Sequence, residues 1–189
     1  MNPIHNVICS SRRWRRSVER ELLPWGLDGV ELGSRVLEVG PGFGATTRVL
    51  VKRLGRLDVL ELDSRYCERL RIQFGSRAIV KQGDATSMPY PDREFSAVVC
   101  FTMLHHIPTR QGQDQAFAQA ARVLAPGGVF AGTDSLGQGR WFKLIHIGDT
   151  MNLIDPRELP GRLEAAGFQE PVIECGERAF RFRARVPGG

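Results

Sequence analysis

Acids and glycines converge on one short stretch of this chain. Val36-Leu-Glu38-Val-Gly40-Pro-Gly42-Phe-Gly44-Ala-Thr-Thr47 places three glycines at alternate positions directly after a short apolar run. Glycine adopts positive φ without steric cost and leaves the backbone bare. A strand, a glycine turn and a helix therefore present N–H groups, at the positive end of a helix dipole, to an anionic or nucleotide-like ligand. A tight strand-to-helix turn with no ligand would use the same glycines. Glu38 lies inside the strand, where a carboxylate is costly to bury without partners. It should accept bonds from N–H groups or face a cationic ligand; the alternative is an acid serving only neighbouring loop amides. Glu61 ends a second apolar run, and Asp84, in Gly83-Asp84-Ala85, follows a third. Asp84 taken alone would be a turn former.

The other candidates lie further along. His105 and His106 follow Phe101-Thr-Met-Leu104, and imidazole titrates near neutrality, which suits a general base. Adjacent residues of an extended segment point to opposite sides, so at most one of the two should face a cavity. Asp134 and His146 are lesser candidates of the same kind. No metal site is expected, because the four histidines and four cysteines show no ligand spacing.

Positioning these groups requires alternating strands and helices. The pattern predicts a helix over 11–23, capped by Ser10 or Ser11 and closed near Pro24. Strands follow at 35–39, 57–61, 78–81, 95–101 and 129–133, with helices over 45–54, 64–74 and 112–124. Asp155-Pro156-Arg157-Glu158 resembles a helix start, with Asp as cap and Pro at the first position; that helix should end at Gly167. Two strands, near 169–175 and 178–186, are separated by Gly176 and Glu177, so they form a hairpin and cannot be parallel. The fold expected is α/β: a doubly wound, Rossmann-like sheet of about seven strands, parallel with an antiparallel final strand, with helices on both faces. One domain is expected over 1–189, with an N-terminal helical part at 1–30, a cofactor-binding half at 34–134 and an acceptor-side segment with the terminal hairpin at 135–189.

Composition is that of a globular protein, 42% hydrophobic and 25% charged. No apolar run approaches a membrane span, the N-terminus is no secretory signal, and Cys67 and Cys100 fall in apolar segments as reduced core residues. A cytoplasmic protein is expected. The net charge of +5 invites a nucleic-acid reading. The distribution argues against that partner: Arg12, Arg13, Arg15, Arg16 and Arg20 surround the apolar stripe Trp14, Val18 and Leu22, as on the solvated side of an amphipathic helix. Arg181, Arg183 and Arg185 alternate with Phe180, Phe182 and Ala184, as on a strand with one wet face, and such charges discourage edge pairing.

The glycine spacing alone, with Glu61 downstream, also fits a dinucleotide fingerprint. Taken together, however, Val36–Gly44, Glu61, Asp84, Leu104–Ile107 and Arg122–Gly128 stand in an order and spacing that resembles class I S-adenosylmethionine-dependent methyltransferases of the small-molecule type. The likeness covers about 34–168, and Asn6–Arg16 is loosely similar to the first helix of quinone-biosynthesis C-methyltransferases. The resemblance implies S-adenosylmethionine as cofactor and S-adenosylhomocysteine as product. It implies that Gly40, Gly42 and Gly44 let backbone approach the cofactor and that Glu38 faces the methionine ammonium, directly or through water. It implies that Glu61 accepts the ribose hydroxyls, Leu62 packs on adenine, Asp84 accepts the adenine amino group, Ala85 N–H donates to a ring nitrogen, and Phe101 begins the loop beneath the methionine tail. Gln119 departs from a Glu common in the family, a difference expected to affect packing only.

The acceptor is expected to be a small hydrophobic or aromatic molecule, held by a lid over 135–154 together with Trp14 and Val18. The N-terminal helix could equally serve as a homodimer face. An RNA methyltransferase is the alternative that Glu38-Val-Gly-Pro-Gly invites, but Phe-Thr-Met-Leu replaces the Asn-(Leu/Pro)-Pro-Tyr of rRNA adenine dimethylases. A non-catalytic cofactor-binding module is the other alternative. A nicotinamide-dependent dehydrogenase is disfavoured by Glu38, Asp84 and the terminal hairpin.

Overall fold

A computed structural model of the protein describes residues 3–54, 56–138 and 151–189. Its centre is one seven-stranded sheet in the order β3-β2-β1-β4-β5-β7-β6. The strands are β1 (Val36–Val39), β2 (Leu57–Glu61), β3 (Ile79–Gln82), β4 (Phe95–Phe101), β5 (Leu124–Ser135), β6 (Gln169–Cys175) and β7 (Ala179–Arg185). β1 pairs in parallel with β2 and β4, β2 with β3, and β4 with β5; β7 runs antiparallel between β5 and β6. The doubly wound sheet with an antiparallel final strand is therefore the one the sequence predicts. Every residue of β1 and β2 is buried, as expected of strands covered on both faces.

Helices cover both faces, and two apolar clusters record this. On one side α4 (Thr47–Arg53) and α5 (Ser64–Phe74) press Val49, Leu50, Leu70 and Phe74 against Val36, Val59 and Val99. On the other, α6 (Arg110–Val123) and α7 (Leu159–Ala165) set Phe117, Val123, Leu159 and Leu163 against Val98, Phe130 and Phe182. The strand and helix order places the carboxyl ends of β1, β2, β3, β4 and β5 on one edge, where ligands bind such sheets.

The N-terminal region departs from the single helix predicted. It is built of α1 (Pro3–Ser10), α2 (Arg12–Ser17), a π-helical turn (Val18–Leu22) and α3 (Leu23–Gly26). Ser11 is the cap of α2, its hydroxyl accepting from Trp14 N–H at 3.1 Å. Pro24 does not close the helix. Leu23 N–H reaches five residues back to the Val18 carbonyl, and the extra residue in that turn carries the chain past the missing proline donor. Val18 and Leu23 are fully buried, with Trp14 and Leu22 packed beside them.

One further expectation is refined and one corrected. The arginines of β7 do alternate with buried Phe180, Phe182 and Ala184, Arg185 being exposed and Arg181 and Arg183 half-buried, but β7 is not an edge strand, because β6 lies outside it. Arg181 donates to the Trp25 carbonyl at 2.7 Å and pairs with Glu174 and Asp28, and Arg183 donates to the Gly29 carbonyl, so this row straps α3 to the sheet. Asp155 caps a turn rather than a helix: it accepts from Arg157 N–H at 2.9 Å, and α7 begins only at Leu159, with Pro160 in its first turn. No helix among the described residues is long and apolar enough to cross a membrane.

Candidate active site

Glu38 stands at the end of β1 with 1% of its surface exposed. Its partners are hydroxyls and not the expected loop amides: Thr46 Oγ1 donates to one carboxylate oxygen and Thr47 Oγ1 to the other, the latter at 2.6 Å. Burial pushes the Glu38 pKa up to about 7, against the pull of the two threonine bonds and with the help of nearby Glu61. Among the described residues no cation lies within ion-pair distance of it. The threonines head α4, immediately after the glycines; two adjacent hydroxyls eight and nine residues beyond a buried acid were the signal that could have found them.

Glu61, at the end of β2, holds the glycine turn. One oxygen accepts Gly42 N–H and the other Asp63 N–H, both at 3.0 Å. A carboxylate has about four lone-pair directions, so each oxygen keeps capacity for one more donor. The three glycines all have positive φ but differ in surroundings. A Cβ on Gly40 would meet the Met103 side chain at 2.9 Å, and one on Gly44 would meet Leu70 and Phe74 at 2.7 and 2.8 Å, whereas one on Gly42 would point into open space. Gly44 thus faces α5, and Gly42 is the bare position.

Asp84 follows β3 and is exposed. Its Oδ1 accepts both the N–H and the hydroxyl of Thr86 at 2.8 Å, the turn-forming bond its type favours; among the described residues nothing donates to Oδ2. Ala85 is half-buried beside it, and Leu62 is 64% exposed at the end of β2. Phe101 is buried with its ring toward Gly26 of α3. Phe43 of the turn lies against Tyr66, ring centres 5.0 Å apart.

The structure joins His105 to Asp134. Asp134 ends the parallel run of β5 and accepts the His105 backbone N–H at 3.0 Å on one oxygen and is hydrogen-bonded to His105 Nδ1 on the other. Both residues are buried, at 3% and 1% exposed. Since a carboxylate only accepts, the bond holds the ring proton on Nδ1 and leaves Nε2 as the accepting nitrogen. The two histidines do not point to opposite sides. Leu104–His106 is a 3₁₀ turn, not an extended segment, and the rings lie 4.2 Å apart, centre to centre.

A second shell that the sequence did not reveal holds this loop. Gln113 of α6 donates to the carbonyls of Leu104, at 3.1 Å, and Asn152, at 2.7 Å, and accepts from Arg162 of α7 at 2.9 Å. Asn152 N–H in turn donates to the His105 carbonyl at 2.8 Å. These residues are up to 49 positions apart, and no local pattern announces such pairs. Leu153 packs on Gly137, and Met103 and Leu136 are half-buried against the core cluster that includes Leu104. His146, with the apolar run Trp141–Ile147 expected in the lid, lies outside the described residues. Gln119 accepts from Arg122 and from Met88 N–H, and so binds the loop after β3 to α6.

Comparison with known proteins agrees with this geometry. Residues 37–132, just over half of the chain, match the family model described as a methyltransferase domain. The chain is 32% identical over 158 residues to a sterol 24-C-methyltransferase of Gibberella zeae, covering 75% of this chain and 41% of that protein. It is 37% identical over 108 residues to a fatty-acid O-methyltransferase of Mycolicibacterium smegmatis, covering 54% and 38%. The chain thus spans about two-fifths of the length of these relatives. A Thermotoga maritima structure described as a SAM-dependent methyltransferase superposes with a TM-score of 0.75 at 18% identity, covering 96% of this chain and 97% of that one. With a glycine turn held by Glu61, a buried acid behind it and the family match over the same strands, this chain belongs to the methyltransferase domain family.

Proposed function

We propose that the protein transfers the methyl group of S-adenosylmethionine to a small apolar acceptor. The observation that carries the cofactor assignment is Glu38: a carboxylate buried to 1%, bonded only by two hydroxyls and facing no cation among the described residues. A buried acid is stabilised by a nearby positive charge, and the ammonium of the methionine part of the cofactor offers one. The residues around it fit the rest of that molecule. Glu61 has one remaining acceptor direction on each oxygen, a match for a vicinal diol, and the Gly42 backbone can be approached closely. Asp84 Oδ2 and Ala85 N–H are placed at the next strand end to read an adenine edge, with Leu62 offering an apolar surface.

S-adenosylmethionine, when bound, supplies a methyl group on a sulfonium, open to in-line displacement. The chain's own contribution is alignment and exclusion of water. Met103 packs over Gly40, which places the loop carrying the histidines directly against the cofactor turn. His105, oriented by Asp134, takes a proton at Nε2 from an acceptor that carries one; the His106 ring lies tilted beside it. Met103, Leu136 and Leu153 flank in the chain the residues that form the His105–Asp134 pair and its Asn152 bond, which suits an apolar acceptor, and relatives named for acting on a sterol and a fatty acid favour the same class.

The test is formation of S-adenosylhomocysteine from S-adenosylmethionine with a panel of fatty acids, sterols and phenols, alongside sugars and a ribosomal RNA transcript. Turnover with members of the apolar group, lost in His105→Ala with cofactor binding retained, is the expected outcome. Turnover on RNA alone would contradict the acceptor assignment. Cofactor binding without turnover on any acceptor would favour a non-catalytic cofactor-binding module.

A further inference from the structure

Most arginines of this chain are tied into the fold. Arg122 donates to the carbonyls of Met88 and Tyr90, Arg162 to Asp114 and Gln113, and Arg181 to Trp25 and Glu174. The first part of the chain is different. Arg12, Arg13, Arg16 and Arg20 are all exposed, and none has a carboxylate within 4.0 Å or a hydrogen bond among the described residues. Their spacing of i, i+1, i+4 and i+8 puts them on one side of α2 and the π turn, opposite Trp14, Val18 and Leu22, which pack on the core. The acids of the segment are occupied elsewhere, Glu19 with Lys52 and Glu21 with the Ser17 hydroxyl. The result is a stripe of uncompensated positive charge on a segment that the core holds rigidly.

The stripe begins at the rim of the site. Cys9, in the last turn of α1, interacts with Tyr66, and Tyr66 lies against Phe43 of the glycine turn. On α1 itself Val7 is 69% exposed. Exposed arginines in a row, with an exposed aliphatic residue on the preceding helix, suit a bilayer surface carrying anionic headgroups. Single-stranded nucleic acid fits less well, because it calls for aromatic platforms and the aromatic residue of the segment, Trp14, is turned to the core.

We propose that Arg12, Arg13, Arg16 and Arg20 form a docking surface for an anionic lipid bilayer, which brings the rim of the site to the phase in which an apolar acceptor dissolves. The last clause rests on the apolar-acceptor reading; the docking itself does not.

The test is co-sedimentation of the full chain with vesicles of phosphatidylcholine alone or with added phosphatidylglycerol, at low salt and at about 1 M salt, where the screening length falls to about 3 Å. Binding is expected only to the phosphatidylglycerol vesicles and is lost in high salt. Each arginine removed should weaken it about fivefold, so Arg12→Gln/Arg16→Gln loses roughly 25-fold, while Arg93→Gln/Arg178→Gln, with the same change in net charge, keeps wild-type binding. Equal binding to both vesicle types, or equal loss in the two double variants, would overturn the proposal. So would capture of a short RNA duplex through the same arginines with no binding to vesicles. Thermal stabilisation by S-adenosylhomocysteine, measured on the same samples, reads the cofactor site separately: vesicle binding without that stabilisation would uphold the docking surface and count against the proposed function.

Discussion

In the half of the site that precedes Phe101, the acids are answered by groups two to nineteen residues away. Glu38 meets Thr46 and Thr47, Glu61 meets Gly42 and Asp63, and Asp84 meets Thr86. In the half that follows, the partners come from far away: His105 from Asp134, 29 residues on, and Gln113 from Asn152 and Arg162, 39 and 49 residues on. The first half can therefore form its ligand-facing geometry within two neighbouring strand–turn–helix units, once β1 and β2 have paired. The second exists only once β4, β5, α6 and α7 have packed together. The difference teaches which residues should change binding and which should change stability when removed.

The sharpest break is expected at Asp134. Asp134→Ala leaves the His105 backbone N–H and ring, together with Ser135 N–H, without their buried acceptor. A loss of about 3 kcal/mol in chemical unfolding is expected, with affinity for S-adenosylhomocysteine unchanged in the protein that remains folded. Glu38 should behave in the opposite sense. Its folded pKa of about 7 lies above its ordinary value of 4.5, so the folded state holds the proton more tightly than the unfolded chain. Stability of the ligand-free protein therefore falls as pH rises from about 4.5 through 7, by on the order of 3 kcal/mol. Glu38→Gln removes that slope, measurable as urea midpoints from pH 4 to 8, and weakens cofactor binding. A wild-type curve that is flat or rises over this range would contradict the burial of an unpaired acid.

Gln113→Leu leaves the Asn152 carbonyl without its Gln113 donor and takes one of several bonds from the Leu104 carbonyl and from Arg162, which keeps Asp114, at a cost of about 2 kcal/mol. Amide exchange is expected to speed up at 102–107 and 151–154 and stay unchanged at 38–44; uniform acceleration would blur the division between the halves. The smallest stability effect is expected for Gly42→Ala, about 1 kcal/mol from its positive φ, yet with a large loss of cofactor affinity. Gly44→Ala should do the reverse, since its Cβ meets Leu70 and Phe74.

The same division explains what was legible in the sequence. Strands β2 and β4 and helix α5 have the bounds that periodicity predicts, and the antiparallel last strand follows from the Gly176-Glu177 turn. Glu38 could be named because it interrupts an apolar run, and Glu61 and Asp84 because they follow one. The threonines over Glu38 and the Gln113 network could not, because hydroxyls and amides are common residues whose partners only the packed fold selects. Asp134 and His105 were each visible as candidates but not as a pair. The arginines of β7 were legible as one face of a strand, but the bonds of Arg181 and Arg183 to Trp25, Gly29 and Glu174 were not, because strand order across the sheet is not written in alternation.

The central claim is a cofactor site built on Glu61 and the glycine turn, and thermal unfolding with S-adenosylhomocysteine, or with NAD, in wild type and Glu61→Ala tests it most directly. A ligand at about 100 times its dissociation constant adds roughly 2.7 kcal/mol, a rise of about 5–10 °C for a chain of this size. The expected result is that rise with S-adenosylhomocysteine alone, absent in Glu61→Ala. A rise with NAD alone, or one that survives the loss of Glu61, would contradict it.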